Sequence, residues 1–172
     1  YTSDKGRMVK NDYERFNGRV NLNQKIGKLL EFGVNVSLAK TDLSGINDTR
    51  NTSTNYLLQS RNLFWPFYWP TDYKTGKTWT TRYNSYAQNI NYYNNEWENG
   101  SATRRITASP SLLLKILPEL NVKTVFSFDE TNTKDDLYYS PNHYTGASDK
   151  GIAHAMVTNY QKLVSSTTAN YN

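Results

Sequence analysis

The chain has 172 residues, a formal net charge of +5 and no cysteine, which excludes a disulfide scaffold and a cysteine-ligated metal site. Hydrophobic residues make up 37% and charged residues 20%, both below the roughly 45–50% and about 25% usual for soluble globular proteins. Uncharged polar and aromatic residues fill the difference (21 Asn, 19 Thr, 14 Tyr), and so many aromatic residues with so modest a net charge exclude a disordered chain.

The N-terminal part alternates between polar and apolar residues with a period of two. Over residues 15–23 the odd positions are polar, and the even positions are apolar or glycine. A strand places successive side chains on opposite faces, so this pattern predicts a strand near residues 12–24. The alternation returns and predicts a second strand near 29–41. The short turn between them contains a glycine, which predicts an antiparallel hairpin.

A second hairpin is predicted in the C-terminal half. Alternating segments place strands near residues 104–116 and 120–131, joined by a turn at 117–119. A weaker pattern predicts a fifth strand near 158–172. Because this last pattern continues to the final residue, we expect the sequence to be an internal piece of a longer protein.

Two predicted connections are long, at residues 42–103 and 132–157. Loops beyond about 12–15 residues are uncommon in compact domains and are usually functional. The first loop carries a dense aromatic cluster, whose side chains give large contact areas at low entropic cost. We expect this cluster to contact a substrate or partner protein; the alternatives are a loop packed on itself or an aromatic belt at a membrane surface. The candidate contact residues are Trp65, Tyr68, Trp69 and Tyr73.

Two environments explain a sheet with one apolar face: the core of a soluble β-sandwich, or the lipid around a membrane barrel. Three features favour the barrel, namely apolar stretches of about ten residues, short turns alternating with long loops, and a polar side rich in Arg, Asn, Ser and Thr. The sequence contains no run of about 18 apolar residues, which is the length that predicts a membrane helix. Five strands cannot close a barrel, and open edges in lipid leave backbone groups unpaired, so further strands are expected.

Several segments resemble the SusC/RagA family of TonB-dependent transporters. Residues 11–23 resemble a barrel strand of the family, and residues 33–37 are similar to its next strand. Residues 57–66 are similar to a long extracellular element, and residues 118–123 resemble a later turn and strand. The plug domain and the TonB box are absent from this chain, as expected for a section from the middle of a barrel.

The resemblance implies an all-β fold, in which antiparallel strands form part of a transmembrane barrel of about 22 strands. It implies a non-enzymatic function, namely the import of glycans or peptides through the outer membrane of a Gram-negative bacterium. The implied partners are TonB, membrane lipid and a SusD-like surface lipoprotein. Two alternatives stay open: a soluble β-sandwich carbohydrate-binding module that uses the Trp65 and Trp69 loop, and a passive porin without a plug.

On the barrel hypothesis the polar side of the strands faces the lumen. Arg15 and Arg19 are two residues apart and therefore project from one face, where they form ion pairs with the plug or with Glu31, or guide an anionic substrate. We expect no catalytic residues, no cofactor and no metal site, and the scattered basic residues argue against nucleic-acid binding. The predicted lumen-facing residues are Arg15, Asn17, Arg19, Asn21, Asn35 and Asp129.

Overall fold

The computed structural model describes residues 1–6, 10–45, 69, 71–78, 89, 95–143 and 145–171. Within these residues, six strands pair in chain order in one antiparallel sheet. No helix in this part of the chain is long and apolar enough to cross a membrane. The strands are β1 (Thr2–Lys5), β2 (Asp12–Ile26), β3 (Leu30–Ser44), β4 (Trp97–Lys115), β5 (Leu120–Tyr139) and β6 (Ile152–Tyr171).

The connections at the two ends of the sheet differ in length. At one end, residues 27–29 join β2 to β3 and residues 116–119 join β4 to β5. Gly27 begins the first of these turns with a φ of +64°, a conformation that side chains other than glycine adopt only with strain. The other end carries the longer connections 45–96 and 140–151. We call these the turn end and the loop end of the sheet.

The strands are more numerous and longer than the sequence predicts. β1 is unpredicted, because its residues are polar on both sides and show no alternation. β3 and β5 end later than predicted, and β4 and β6 begin earlier. The predicted loops 42–103 and 132–157 are therefore wrong in extent, and the connections are residues 45–96 and 140–151. The added segments of β4 and β5 are largely polar on both faces, whereas the added segment of β6, residues 152–157, is mainly apolar. The cross-strand ladder satisfies the backbone groups of all three.

The pairing register separates the side chains into two faces. Residues directly opposite each other in a sheet lie on the same face. One row across β2–β6 consists of Val20, Val36, Ala108, Phe128 and Leu163. The adjacent row points to the opposite side and consists of Arg19, Ser37, Thr107, Asp129 and Lys162. We call these sides the apolar face and the polar face.

No second layer covers the apolar face within the described residues. Extensive contacts occur only between strands that neighbour each other in the sheet. Large apolar side chains therefore remain open, with Val20 66% and Leu22 51% exposed. A β-sandwich buries such a face against a second sheet, so the soluble β-sandwich alternative is wrong for this part of the chain.

The well-packed part of the described chain lies at the loop end. Trp97, at the start of β4, is the buried large hydrophobic side chain here, and the His143 and Asn89 side chains are also buried. The Lys10 ammonium donates a hydrogen bond to the Trp97 carbonyl oxygen at 2.7 Å and lies 5.3 Å from the centre of its ring. The rings of His143 and Tyr139 have centroids 4.7 Å apart. This small cluster ties the loops to the strand ends.

Candidate functional site

The apolar face carries a band of apolar side chains that has the same length along each of three strands. Apolar side chains dominate this face over residues 30–38 of β3, 106–114 of β4 and 120–128 of β5, nine positions in each strand. A tilted strand needs about 9–11 residues to cross the hydrocarbon of a bilayer. Lys40 and Arg104 follow the band directly on the same face, opposite each other in the register. The band therefore ends in charged side chains on the loop side.

The polar face is connected sideways by hydrogen bonds between short side chains. Thr103 and Thr133 hydroxyls lie 3.2 Å apart, and the Ser37 hydroxyl is bonded to that of Thr107. Each bond joins two neighbouring strands, so the hydroxyl groups are satisfied within the sheet. The small side chains also leave space above the face for larger molecules or ordered water.

Near the turn end, the polar face holds a group of charged side chains. The Lys115 ammonium lies 2.7 Å from a Glu31 carboxylate oxygen, and the Lys25 ammonium lies 3.9 Å from the same oxygen. The predicted ion pair of Glu31 with Arg15 or Arg19 is wrong. Arg19 lies opposite Ser37, six residues along β3 from Glu31, which places the two charges about 20 Å apart.

Closer to the loop end of the polar face, three arginines surround an open recess. Arg15 and Arg19 project from β2, and Arg105 projects from β4. Between them, on the polar face of β3, lie the short side chains of Ser37 and Ala39. Long side chains on both sides of short ones leave a cavity of about 440 Å³. We call this the arginine recess.

The three guanidinium groups differ in how they are held. Arg105 donates from Nε to Asp129 Oδ1 at 3.0 Å and from Nη2 to Asp129 Oδ2 at 2.6 Å. Arg15 donates from Nε to the Asn17 side-chain oxygen at 3.0 Å. Arg19 makes no hydrogen bond or ion pair with any described residue. Each guanidinium has five N–H donors, so most donors of the recess have no partner among the residues that the structure describes.

The register brings together all the residues that the sequence assigns to the lumen. Asn17 lies opposite Ala39, which lies opposite Arg105, and Asn21 lies opposite Asn35. All six therefore share the polar face: Arg15, Asn17, Arg19, Asn21, Asn35 and Asp129. The sequence analysis missed Arg105. Its alternation with Ile106 indicates a polar face, but only the β3–β4 register places it beside Arg15 and Arg19.

The aromatic candidates fall in the long connection 45–96. Trp65 and Tyr68 lie outside the described residues. Trp69 and Tyr73 have 71% and 83% of their surface exposed. Tyr73 begins a tight turn in which the Asp72 carboxylate accepts a hydrogen bond from the Lys74 backbone N–H at 2.8 Å. The structure thus presents Tyr73 at an exposed turn and does not bring it to the arginine recess.

Comparison with known proteins shows the fold. No protein-family model matches the sequence, and no curated protein is significantly similar to it. Among solved structures, the chain is similar to a chain in the structure of the RagAB peptide importer in the "closed-closed" state, with a TM-score of 0.69 and 19% sequence identity. The similarity covers 94% of this chain and 18% of the other, so this chain spans less than a fifth of its length.

At this identity the similarity establishes a shared architecture. The six antiparallel strands match part of the barrel of RagA, a TonB-dependent transporter of the SusC/RagA type. The predicted all-β fold class and the resemblance to that barrel are confirmed. The matched protein is a transporter and not an enzyme.

Proposed function

We propose that the chain is a section of the wall of a TonB-dependent transporter in the outer membrane of a Gram-negative bacterium. In this proposal the apolar face contacts lipid, and the polar face lines an aqueous passage. The turn end faces the periplasm, and the loop end faces the cell exterior, as in outer-membrane barrels generally.

One observation carries the proposal: a single-layered sheet with an uncovered apolar face whose band is nine residues high. In water such a face loses the hydrophobic stabilisation of about 25 cal/mol per Å² that burial provides. In a bilayer the same face is matched in height and chemistry to the hydrocarbon. The likeness to the RagA barrel supports the same placement.

The proposed cargo and partners are supported by the likeness to the RagAB peptide importer and by the sequence resemblance to the SusC/RagA family. We propose the import of peptides or glycans, energised through TonB, with a SusD-like lipoprotein covering the loop end. The exposed Trp69 and Tyr73 are the described aromatic residues that stay candidates for contact with that lipoprotein or the cargo. A passive porin has the same kind of wall, and it is distinguished by the lack of a plug and of TonB-dependent uptake.

Adjacent residues on opposite faces provide the test. In the full transporter, Val34→Arg places a charge in the middle of the apolar band, where Val34 lies opposite Leu22 and Pro110. Asn35→Arg places the same charge on the polar face. We expect Val34→Arg to cost about 2–4 kcal/mol of folding free energy in lipid vesicles and to reduce the folded barrel in outer-membrane fractions, with Asn35→Arg close to wild type.

The readouts are chemical unfolding in vesicles and the heat-dependent electrophoretic mobility of the barrel. Equal tolerance of the two substitutions contradicts the assignment of lipid to the apolar face. A larger loss from Asn35→Arg reverses the assignment of the two faces.

A further inference from the structure

We propose that the arginine recess binds carboxylate groups of the imported substrate, so that the transporter prefers anionic cargo. This inference rests on the proposed function, because it requires the polar face to line the passage. The substrate class is a polymer with carboxylates, either an acidic peptide or a glycan containing uronic acids.

The first argument is charge. Arg15, Arg19 and Arg105 place three permanent positive charges around the recess, and Lys162 lies opposite Asp129 on the far side. Asp129 is the carboxylate that the structure describes in contact with these arginines, and it forms an ion pair with Arg105. The described surroundings of the recess therefore carry a net positive charge, which raises the local concentration of anions.

The second argument is shape. Arg15 and Arg19 are separated from Arg105 by two strand spacings, about 9.6 Å. The floor between them consists of Ser37 and Ala39, and the resulting space of about 440 Å³ exceeds that of a single carboxylate. An acidic side chain with part of its backbone fits this space and lies within reach of arginines on both walls.

The third argument is the hydrogen-bond geometry between Arg105 and Asp129. Arg105 holds the Asp129 carboxylate by two parallel hydrogen bonds, the arrangement in which guanidinium recognises carboxylate best. Among the described residues, Arg19 has no partner and can offer the same Nε and Nη2 fork to a ligand. The Nε–H of Arg15 is bonded to Asn17, so Arg15 offers the fork formed by its two terminal NH2 groups. The site thus contains one occupied carboxylate fork and two open ones.

The experiment compares matched charged and neutral probes on the purified full transporter. The peptide pair is hexaglutamate and hexaglutamine, and the glycan pair is an oligogalacturonate and the corresponding neutral galactose oligomer. For wild type we expect tighter binding of the charged member of at least one pair, and the pair that shows it identifies the source of the carboxylate. Arg15→Gln with Arg19→Gln should weaken that binding by about ten-fold or more and leave the neutral member unchanged.

Two further variants keep the test specific. Lys25→Gln with Lys123→Gln removes two positive charges from the same face at the turn end, and we expect it to retain the preference. Ala39→Leu fills the recess without changing its charge, and we expect it to weaken binding of the charged probe as well.

Three outcomes overturn the proposal: no preference in wild type, an equal loss in the lysine variant, or arginine variants that lower the stability of the ligand-free transporter while the preference persists. The last outcome assigns the arginines to a carboxylate of the protein itself, such as one on the plug. None of these results affects the comparison of Val34→Arg with Asn35→Arg, so failure of this inference is distinct from failure of the proposed function.

Discussion

Arg105 on β4 holds the carboxylate of Asp129 on β5 by two hydrogen bonds of 3.0 and 2.6 Å. The two residues are offset by two positions along β5, because Arg105 lies directly opposite Thr131. The pair crosses the strands diagonally on the polar face. Asp129 therefore sets the direction of the Arg105 side chain and also reduces the positive charge beside the arginine recess.

Removing the charge of Asp129 should strengthen the binding of anions. We expect Asp129→Asn to increase the affinity of the full transporter for hexaglutamate by about three-fold or more, since one competing negative charge is lost. The gain should shrink as ionic strength rises, because exposed charges are screened. Asp135→Asn is the matched control, on the same strand and face but about 20 Å away. An equal gain in both variants attributes the effect to net charge and not to the recess.

A side chain at Gly33 on β3 requires two neighbouring side chains to move. A Cβ atom at this position meets Ser111 Oγ at 2.6 Å and Asn23 Oδ1 at 2.8 Å. We expect Gly33→Ala to lower the free energy of unfolding in vesicles by about 1–2 kcal/mol through overpacking, with partial recovery when Ser111→Ala is added. Gly18→Ala is the control, because the added atom meets only Phe16 at 3.8 Å. We expect it to be neutral or slightly stabilising.

Two threonines on the apolar face satisfy each other. The hydroxyls of Thr124 and Thr167 lie 3.1 Å apart across β5 and β6. In lipid an unpaired hydroxyl has no water to bind, so Thr124→Val should destabilise the barrel by about 1 kcal/mol, and the double change to valine should recover most of that loss.

The equivalent pair on the polar face is the comparison for this measurement. Thr103 and Thr133 hydroxyls lie 3.2 Å apart. Thr103→Val should cost less than Thr124→Val, because water replaces the lost partner. Equal costs measured by unfolding in vesicles contradict the difference in environment between the two faces.

The loop that contains His143 should loosen in mild acid. Burial lowers the pKa of His143 to about 4, although the nearby Glu96 opposes this shift. The ring also accepts a hydrogen bond at Nδ1 from the Thr145 backbone N–H at 3.1 Å, which a protonated ring cannot do. Between pH 6.5 and about 4 the unfolded loop binds a proton that the folded loop does not. The stability of the loop therefore falls as the pH decreases through this range.

Hydrogen exchange of the backbone amides in the connection 140–151 measures this effect. We expect protection, corrected for the intrinsic exchange rate, to decrease between pH 7 and pH 4.5 in wild type. His143→Gln should remove most of the pH dependence. A wild-type profile as flat as that of the variant contradicts the buried, neutral state of His143.

The strands of the apolar band were predictable because burial on one face alone forces alternation. Residues 15–23 and 30–39 show it without interruption, and they lie within β2 and β3. The alternation stops where both faces of a strand meet water. β1 and the loop-end part of β5 therefore show no alternation. The loop-end part of β6 also lacks it, because residues 152–157 are mainly apolar on both faces. The backbones of all three segments continue the ladder.

The arginine recess could be predicted only in part. Arg15 and Arg19 share a face because of strand geometry alone, and the sequence is sufficient for that inference. Arg105 joins them through the register between β3 and β4, which the long connection 45–96 leaves undetermined. The same reasoning explains the incorrect Glu31 pair: proximity of two strands does not determine which residues along them are opposite.

The length of the strands on the loop side has a consequence for access. β5 continues from Asp129 to Tyr139 beyond the apolar band, eleven residues or about 36 Å of chain. With a tilt of about 40°, this segment rises about 28 Å above the hydrocarbon. In the proposed orientation, an approaching molecule enters a walled vestibule long before it reaches the depth of the lipid tails, so sieving by size starts at this raised rim.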